Sequence, residues 1–484
     1  MGHPMVIALD VGTSSARAAL YDPAGRSVDG RFHQVPYEPV VTRDGGVEHD
    51  PAALLEAVAT CLDAVGHGGR AHDVRAVGVT TFWHGLLGFD GSGQPVTPVF
   101  MWADSRSARD AALLRDALDE EALHARTGCH LHSSYWPAKL RWLARERPAD
   151  VRRVARWGSF GEFLELTLFG QAGTSVSMAS GTGLLDQARV DWDAEAVAAA
   201  GIEPSQLFPL TDRTDGRRGL RAPWATRWLA LRSVPWYPAI GDGAASNVGS
   251  DCGDERRLAL NVGTSAALRV VLGPPLAPPR GLWCYRIDRA QAMVGGATSE
   301  GGNVYAWCRD VLRVPDHEAL EAALAARGPD AAGLTVLPFL AGERAPGWRG
   351  DRRAVIAGLS LDTTALDIVH AALEAVALRL AIVHGLLAPL LTGEHAIVAS
   401  GGAIARSRVW TQILADAIGR PVTWSRESEA TSRGAALLAL QALGALPDLA
   451  AACAPLGETF APDPRRHARY LEALDRQRRL DERV

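Results

Sequence analysis

Ala8-Leu9-Asp10-Val11-Gly12-Thr13-Ser14 and Ala259-Leu260-Asn261-Val262-Gly263-Thr264-Ser265 are the same seven residues written twice, identical at six positions. Each copy follows a short apolar run, Val6–Leu9 and Leu258–Leu260, that reads as a strand. A strand entering Gly-Thr-Ser presents backbone N–H groups and hydroxyls at a tight turn. Glycine lets a ligand approach the backbone closely, and the amides suit phosphate oxygens. Two such turns about half the chain apart predict two similar domains gripping one polyphosphate between them.

Composition narrows the function. The chain has 484 residues, 47% hydrophobic and 22% charged, with a formal net charge of −5. These values predict an ordinary globular protein with no nucleic-acid or anionic-membrane partner. No apolar run is long enough to span a bilayer. The opening Met1-Gly2-His3-Pro4 runs straight into the first strand without a signal segment, and Gly2 lacks a myristoylation context. The six cysteines are scattered without a Cys-x-x-Cys pair, which predicts reduced thiols and a cytoplasmic location. Cys129-His130-Leu131-His132 lacks a second ligand pair at zinc spacing. Among 50 basic residues Lys139 is the one lysine, so 50 − 1 = 49 are arginine. Lys139 lies in Trp136-Pro137-Ala138-Lys139-Leu140, so no P-loop exists, and the protein-kinase motifs are absent as well.

Ala18–Tyr21 and Val35–Tyr37 continue a meander from the first strand, and Asp50-Pro51 caps a helix carrying Leu54, Leu55, Val58 and Leu62. Val74–Val79 is a buried strand. A long helix is expected from about Thr364 to Leu387. Ile397–Ser400 is a strand leading to Gly401-Gly402 and a helix, and Arg465–Arg483 is a solvated, charged helix. The repeat places a domain boundary near residues 240–258, giving units 1–248 and 249–484 with a hinge between them.

Four groups of residues carry candidate chemistry. Asp242, between Gly241 and Gly243 after the strand Pro238–Ile240, projects a carboxylate able to take a hydroxyl proton in phosphoryl transfer. Asp10 beside a phosphate turn would repel phosphate unless Mg²⁺ lay between them, so it is read as a magnesium ligand. Arg17 is placed either to neutralise phosphate or at the surface. Ser400-Gly401-Gly402-Ala403 offers a flat face at a helix N-terminus for a base or ribose. Trp83, His84, Trp102, Asp104, Arg106, Tyr135 and Lys139 combine aromatic faces with polar groups, which suits a polyol. Trp102, Asp104 and Arg106 are expected on one strand face.

Together these segments resemble the FGGY carbohydrate kinases. The C-terminal signature Ala354-Val355-Ile356-Ala357-Gly358-Leu359, then seven residues, then Asp367 to Ala375, fits throughout. The N-terminal signature, Ser134 to Glu146, departs at Trp136, where that family has proline, serine or threonine. The resemblance implies an α/β fold of two actin-like, ribonuclease H-like domains, as in the sugar kinase/heat-shock-70/actin superfold, with a cleft between them. It implies ATP and Mg²⁺ as cofactors and Asp242 as catalytic base. It implies Asp10 as the metal-linked aspartate, with Thr13, Ser14, Gly263 and Thr264 on the phosphate turns. Gly401 and Gly402 fall on the adenosine side, and Trp83, His84 and Asp104 on the acceptor side. Leu337 to Pro346 and Thr127 to His132 look most like gluconokinases. Gluconate is therefore the first acceptor to consider, with a xylulose-like ketopentose, another polyol or a cyclitol as alternatives. A homodimer is the one candidate macromolecular assembly. An actin-like or heat-shock-70-like ATPase is the reading from a different class. The acceptor-side aromatic set favours a kinase over it, and intact Asp10 and Asp242 argue against an idle sugar sensor.

Overall fold

The computed structural model describes residues 4–66, 73–273 and 277–484. Met1-Gly2-His3, read above as leading into the first strand, lies outside the described residues.

The first sheet has strands β1 (Met5–Val11), β2 (Ser15–Tyr21), β3 (Ser27–Pro36), β4 (Val74–Thr81) and β5 (Trp236–Gly241), in the order β5-β4-β1-β2-β3. The second has β6 (Arg257–Val262), β7 (Ala266–Leu272), β8 (Trp283–Arg286), β9 (Ala292–Thr298), β10 (Ala396–Ser400), β11 (Val422–Ser425) and β12 (Leu456–Phe460), in the order β8-β9-β7-β6-β10-β11-β12. Its inner five, β9-β7-β6-β10-β11, repeat the first sheet strand for strand. β1 pairs antiparallel with β2 and parallel with β4; β6 does the same with β7 and β10. The repeated heptapeptide is thus the first hairpin turn of each sheet.

Register places the site. Asp10 lies opposite Thr80, Val11 opposite Thr81, and Gly241 also opposite Thr81. Asn261 lies opposite Ser400, and Ala399 opposite Trp424. The parallel strands of each sheet therefore end together, and ligands of open α/β sheets bind outside those carboxyl ends.

The helices used below are α1 (Pro51–Gly66), α2 (Trp136–Glu146), α3 (Asp242–Gly249), α4 (Ala365–Leu387), α5 (Arg408–Ile418), α6 (Ala430–Ala442) and α7 (Pro464–Asp481). α1 starts at Asp50-Pro51 and buries Leu54, Val58 and Leu62. α4 starts at Thr364, whose side chain and Asp367 form a capping box. α3 and α6 follow the last parallel strand of each sheet and cross each other. A Cβ on Gly249 would stand 1.8 Å from the Ala430 carbonyl oxygen, and one on Gly434 would stand 1.8 Å from that of Ala245. Only glycine permits this approach. α6 then lies on the first sheet: a Cβ at Gly78 of β4 would sit 2.4 Å from the Ala435 oxygen. Leu437, Leu438 and Leu440 of α6 join the core of the first sheet. Arg433 fastens the junction, donating to the carbonyls of Gly25, Gly249 and Ala452.

Four expectations need correction. β3 begins at Ser27, well before Val35, because this outer strand is largely exposed and carries no apolar run. Trp102–Arg106 is a turn, not a strand. The Asp104 carboxylate accepts from the Arg106 amide at 3.1 Å, the local bond that lets aspartate displace a ladder. Gly401-Gly402 is not at a helix N-terminus: a turn separates it from α5, which starts at Arg408. α7 is not merely a solvated face. It buries Tyr470, Ala473, Leu474 and Gln477, Arg466 pairs with Asp416 at 2.7 Å, and Asp481 pairs with Arg349 and Arg379 at 2.7 and 3.2 Å.

Gly434→Val tests the crossing. Forcing a side chain against the Ala245 carbonyl is expected to cost at least about 1–3 kcal/mol. Urea unfolding should show a lower midpoint; a midpoint equal to the parent's would mean that the helices separate freely.

Candidate active site

Both glycine turns are built alike. In the first, the Gly12 carbonyl accepts from the Tyr37 hydroxyl at 2.7 Å, that of Thr13 faces His49 Nε2 at 3.0 Å, and that of Ser14 accepts from the Tyr37 amide at 2.9 Å. In the second, the carbonyls of Gly263 and Thr264 accept from the amides of Gly302 and Asn303 at 2.7 and 3.1 Å. The glycine amides close the turns on the carbonyls of Ser15 and Ser265 at 3.0 and 2.9 Å, so it is the threonine and serine amides and hydroxyls that are left for a ligand. A Cβ at Gly12 or Gly263 would meet nothing nearer than 3.4 or 3.9 Å, so the protein itself does not exclude a side chain there. What glycine leaves is an open approach for a ligand. Tyr37, His49, Gly302 and Asn303 escaped the sequence reading because they are remote from the turns in the chain.

Asp10 is buried at the end of β1, and Arg17 of β2 reaches its Oδ2 at 3.3 Å. Arg17 is also 3.8 Å from Glu429, just before α6, so it lies between two carboxylates instead of at a bare surface. Asp10 Oδ1 is buried and has no hydrogen-bond partner. Burial pushes the Asp10 carboxyl up to about 7; Arg17 opposes this, while the charges of Asp242 and Glu429 add to it. Asp10 and Glu429 share Arg17 here, and an orphaned carboxylate oxygen beside a glycine turn is chemistry a magnesium ion fits. No group of three or more metal-ligating side chains exists among the described residues, so such an ion would take most of its ligands from phosphate and water.

Asp242 is the first residue of α3 and keeps partial exposure. Its Oδ1 accepts from the Gly243 amide at 2.8 Å. Burial raises its carboxyl above the usual range, while the Gly243 bond and the Arg269 charge pull it down. The flanking glycines now have a reason. A Cβ at Gly241 would lie 1.9 Å from the Trp83 indole, and one at Gly243 would lie 2.7 Å from both Trp83 and the Arg269 guanidinium.

Trp83 and His84 follow β4. The Trp83 indole N–H donates to the Ser177 carbonyl at 2.9 Å. His84 takes the left-handed conformation at φ 67° and places Nδ1 2.5 Å from the Gly181 carbonyl. Burial lowers the His84 imidazole to about 3, so it is neutral: Nδ1–H donates and Nε2 is left as an acceptor. Tyr135 lies edge-on to His84 and shares a 2.6 Å hydroxyl contact with Tyr285 of β8. The second sheet thus supplies part of this wall. Tyr285 lies 4.8 Å from Trp83 and stacks on Trp283 at 4.2 Å, while Trp348 packs 4.8 Å from His130. Arg344 places its guanidinium 5.3 Å from the Trp102 ring centre.

Two acceptor-side candidates are already engaged. Asp104 is bound by Arg106 and accepts from the Val47 amide at 3.2 Å. Lys139 on α2 is buried and donates to the carbonyls of Ser133 and Ser134 at 2.7 and 2.6 Å; burial lowers its ammonium to about 7. It braces the loop that carries Tyr135.

On the other side of the cleft, a cavity of about 680 Å³ is lined by Ser246, Asn261, Gly401, Gly402, Trp424 and Glu427, among others. Gly401 has φ 110°, and its Cβ would strike the Val262 oxygen at 2.4 Å, so the backbone requires glycine there. A Cβ at Gly402 would meet nothing within 4 Å. No helix among the described residues is long and apolar enough to cross a membrane, and the six cysteines are free.

Two predictions follow from this electrostatic layout. A carboxyl whose folded pKa is raised favours the fold below its unfolded value of 3.8, and that contribution is lost as pH rises through about 7. Asp10→Asn without divalent metal should therefore melt several degrees above the parent at pH 8, with the gap closing toward pH 4. A gap independent of pH would contradict the burial of Asp10. Lys139→Met, which leaves two buried carbonyls without a donor, is expected to cost about 1–3 kcal/mol. It should lower the melting temperature without raising the acceptor KM; a selective KM rise would return Lys139 to the pocket.

Comparison with known proteins agrees with this architecture. A gluconokinase from Bacillus subtilis (strain 168) is 27% identical over 472 residues, covering 95% of this chain and 91% of that protein. A glycerol kinase from Leptothrix cholodnii is 31% identical over 461 residues, covering 90% of each. The crystal structure of a ligand-bound xylulose kinase from Lactobacillus acidophilus superposes with a TM-score of 0.92 at 25% identity, covering 99% of this chain and 98% of that one. Residues 5–249 match the N-terminal domain, and residues 258–443 the C-terminal domain, of the FGGY family of carbohydrate kinases. The doubled sheet, with its acids and glycine turns at the strand ends, has the two actin-like domains of a sugar kinase, and the chain belongs to the FGGY family of carbohydrate kinases.

Proposed function

We propose that this kinase transfers the γ-phosphoryl group of ATP to a hydroxyl of gluconate. The observation that carries the transfer is Asp242, a partly exposed carboxylate between the aromatic wall and the glycine turns, held by the Gly243 amide. It accepts the proton of the acceptor hydroxyl as that oxygen bonds to the γ-phosphorus and the bond to the ADP oxygen breaks. Thr13, Ser14 and Thr264 hold phosphate oxygens through amides and hydroxyls, while Gly263, whose amide closes the turn on the Ser265 carbonyl at 2.9 Å, leaves the approach open. Gly401 and Gly402 border the cavity for the adenosine end. Asp10 would hold Mg²⁺, whose contribution is to neutralise phosphate charge, and Arg17 keeps Asp10 in place. Trp83, neutral His84, Trp102 and Tyr135 form the acceptor wall.

The choice of gluconate is supported by the Bacillus subtilis relative, by the Leu337–Pro346 stretch, and by Arg269 and Arg344 on the acceptor side. A xylulose-like ketopentose is the second reading, favoured by the close superposition on the xylulose kinase. We place the division between units at 248/249, in the last turn of α3, so that the α3–α6 crossing is the hinge on which the cleft closes.

A coupled ADP-release screen over aldonates, ketoses, alditols and cyclitols tests the acceptor, with gluconate expected to give the highest kcat/KM. Asp242→Asn should fold, bind ATP and lose roughly 10²–10⁴-fold in kcat. Near-normal turnover by the folded variant would remove Asp242 as the base.

A further inference from the structure

Arg269 is a cation with no partner in a chain that pairs most of its buried arginines. Arg106 binds Asp104 and Glu48, and Arg379 binds Glu343 and Asp481. The Arg269 guanidinium makes no hydrogen bond or ion pair with any described residue, and its Nε is buried without an acceptor. Its path is nevertheless built. On β7 it lies opposite Gly295 of β9, where a Cβ would stand 2.8 Å from its Cγ. Its guanidinium then reaches Gly243 on α3, where a Cβ would stand 2.7 Å away. Two glycines, one on each unit, open the channel that the side chain fills.

Where it ends is electrostatically poor for a cation. The first turn of α3 carries the positive end of the helix dipole, and burial itself disfavours the charge. Asp242 attracts it but lies beyond ion-pair distance. An uncompensated guanidinium at a reaction centre calls for an oxyanion brought by a ligand. Two could come, the transferring phosphoryl group or a carboxylate of the acceptor. The surroundings favour the second. Trp83 shares the space at Gly243, and Trp283 shares the space at Gly295. Both belong to the aromatic wall, not to the phosphate turns. Arg344, also without an ion pair among the described residues, lies on Trp102 of the same wall. A neutral polyol would leave both charges uncompensated.

We propose that Arg269 is the specificity-determining residue of the acceptor site, binding the carboxylate of a sugar acid. This deepens the gluconate reading and rests on it. A hydroxyl in place of the carboxylate leaves Arg269 unpaired, so the site selects aldonates over the corresponding alditols.

The test compares gluconate with glucitol, the same carbon chain with the carboxylate reduced, in wild type, Arg269→Met and Arg269→Lys. ADP release gives kcat and KM, and calorimetry gives the affinity for each acceptor whether or not it turns over. Wild type should prefer gluconate. Arg269→Met should lose about 10–100-fold more for gluconate than for glucitol, the difference lying chiefly in KM and affinity. Arg269→Lys should keep part of the preference, and melting temperatures confirm that each variant folds. An undiminished preference in Arg269→Met overturns the inference while leaving the gluconate reading intact. Equal losses on both acceptors, in kcat, overturn it in favour of a phosphoryl-binding role. A wild type that neither binds nor phosphorylates any aldonate overturns both.

Discussion

The architecture depends on the crossing of α3 and α6 at van der Waals contact. Gly249 and Gly434 let each helix backbone touch the carbonyl of the other, so two sheets that would otherwise be separate modules share one junction. Each helix begins just beyond the last parallel strand of its own sheet. Bringing the helices together therefore brings the strand ends together, and with them Asp242 from one unit and the 425–429 segment from the other. α6 completes the core of the first sheet, so the second unit cannot drift away without exposing its leucines.

Glycine plays different physical parts around the site. At Gly241 and Gly243 it makes room for the Trp83 ring and the Arg269 guanidinium, which confine the Asp242 carboxylate without hydrogen-bonding it. At Gly401 it permits a backbone conformation and an approach to Val262. At Gly12, Gly263 and Gly402 nothing in the protein demands it. These are the positions where the backbone faces open space, and where phosphate or nucleoside is expected.

Electrostatics separates scaffold from chemistry. Buried arginines of the scaffold are matched by carboxylates or by backbone carbonyls, as Arg106 is by Asp104 and Glu48 and Arg286 by the carbonyls of Gln187 and Arg289. Around the cleft the matching fails in both directions. Asp10 has an orphaned oxygen and a carboxyl raised to about 7, while Arg269 and Arg344 form no ion pair among the described residues. Unmatched charge costs stability, and it persists where ligands complete the pairing. The acid excess lies at the glycine turns, where the proposed polyphosphate would bring a cation. The excess of guanidinium lies at the aromatic wall.

The repeated heptapeptide was enough to read two like domains, because a strand and its turn are local and glycine and threonine leave a legible mark. The Asp50-Pro51 helix start, the Thr364 cap and the Gly-Asp-Gly stretch at the end of its strand were legible for the same reason. β3 was legible only in part, since an exposed outer strand has no apolar run. Tyr37, His49, Tyr285, Arg269, Gly302 and Trp348 carried no sequence signal, because each acts on a partner distant in the chain. The sequence showed that Trp102, Asp104 and Lys139 sit near acceptor-side motifs. Only the tertiary structure decided that Asp104 is spent on Arg106 and Lys139 on backbone carbonyls, while Trp102 lies under Arg344. Which side chains are satisfied by their own protein, and which await a ligand, depends on neighbours that folding alone brings into reach.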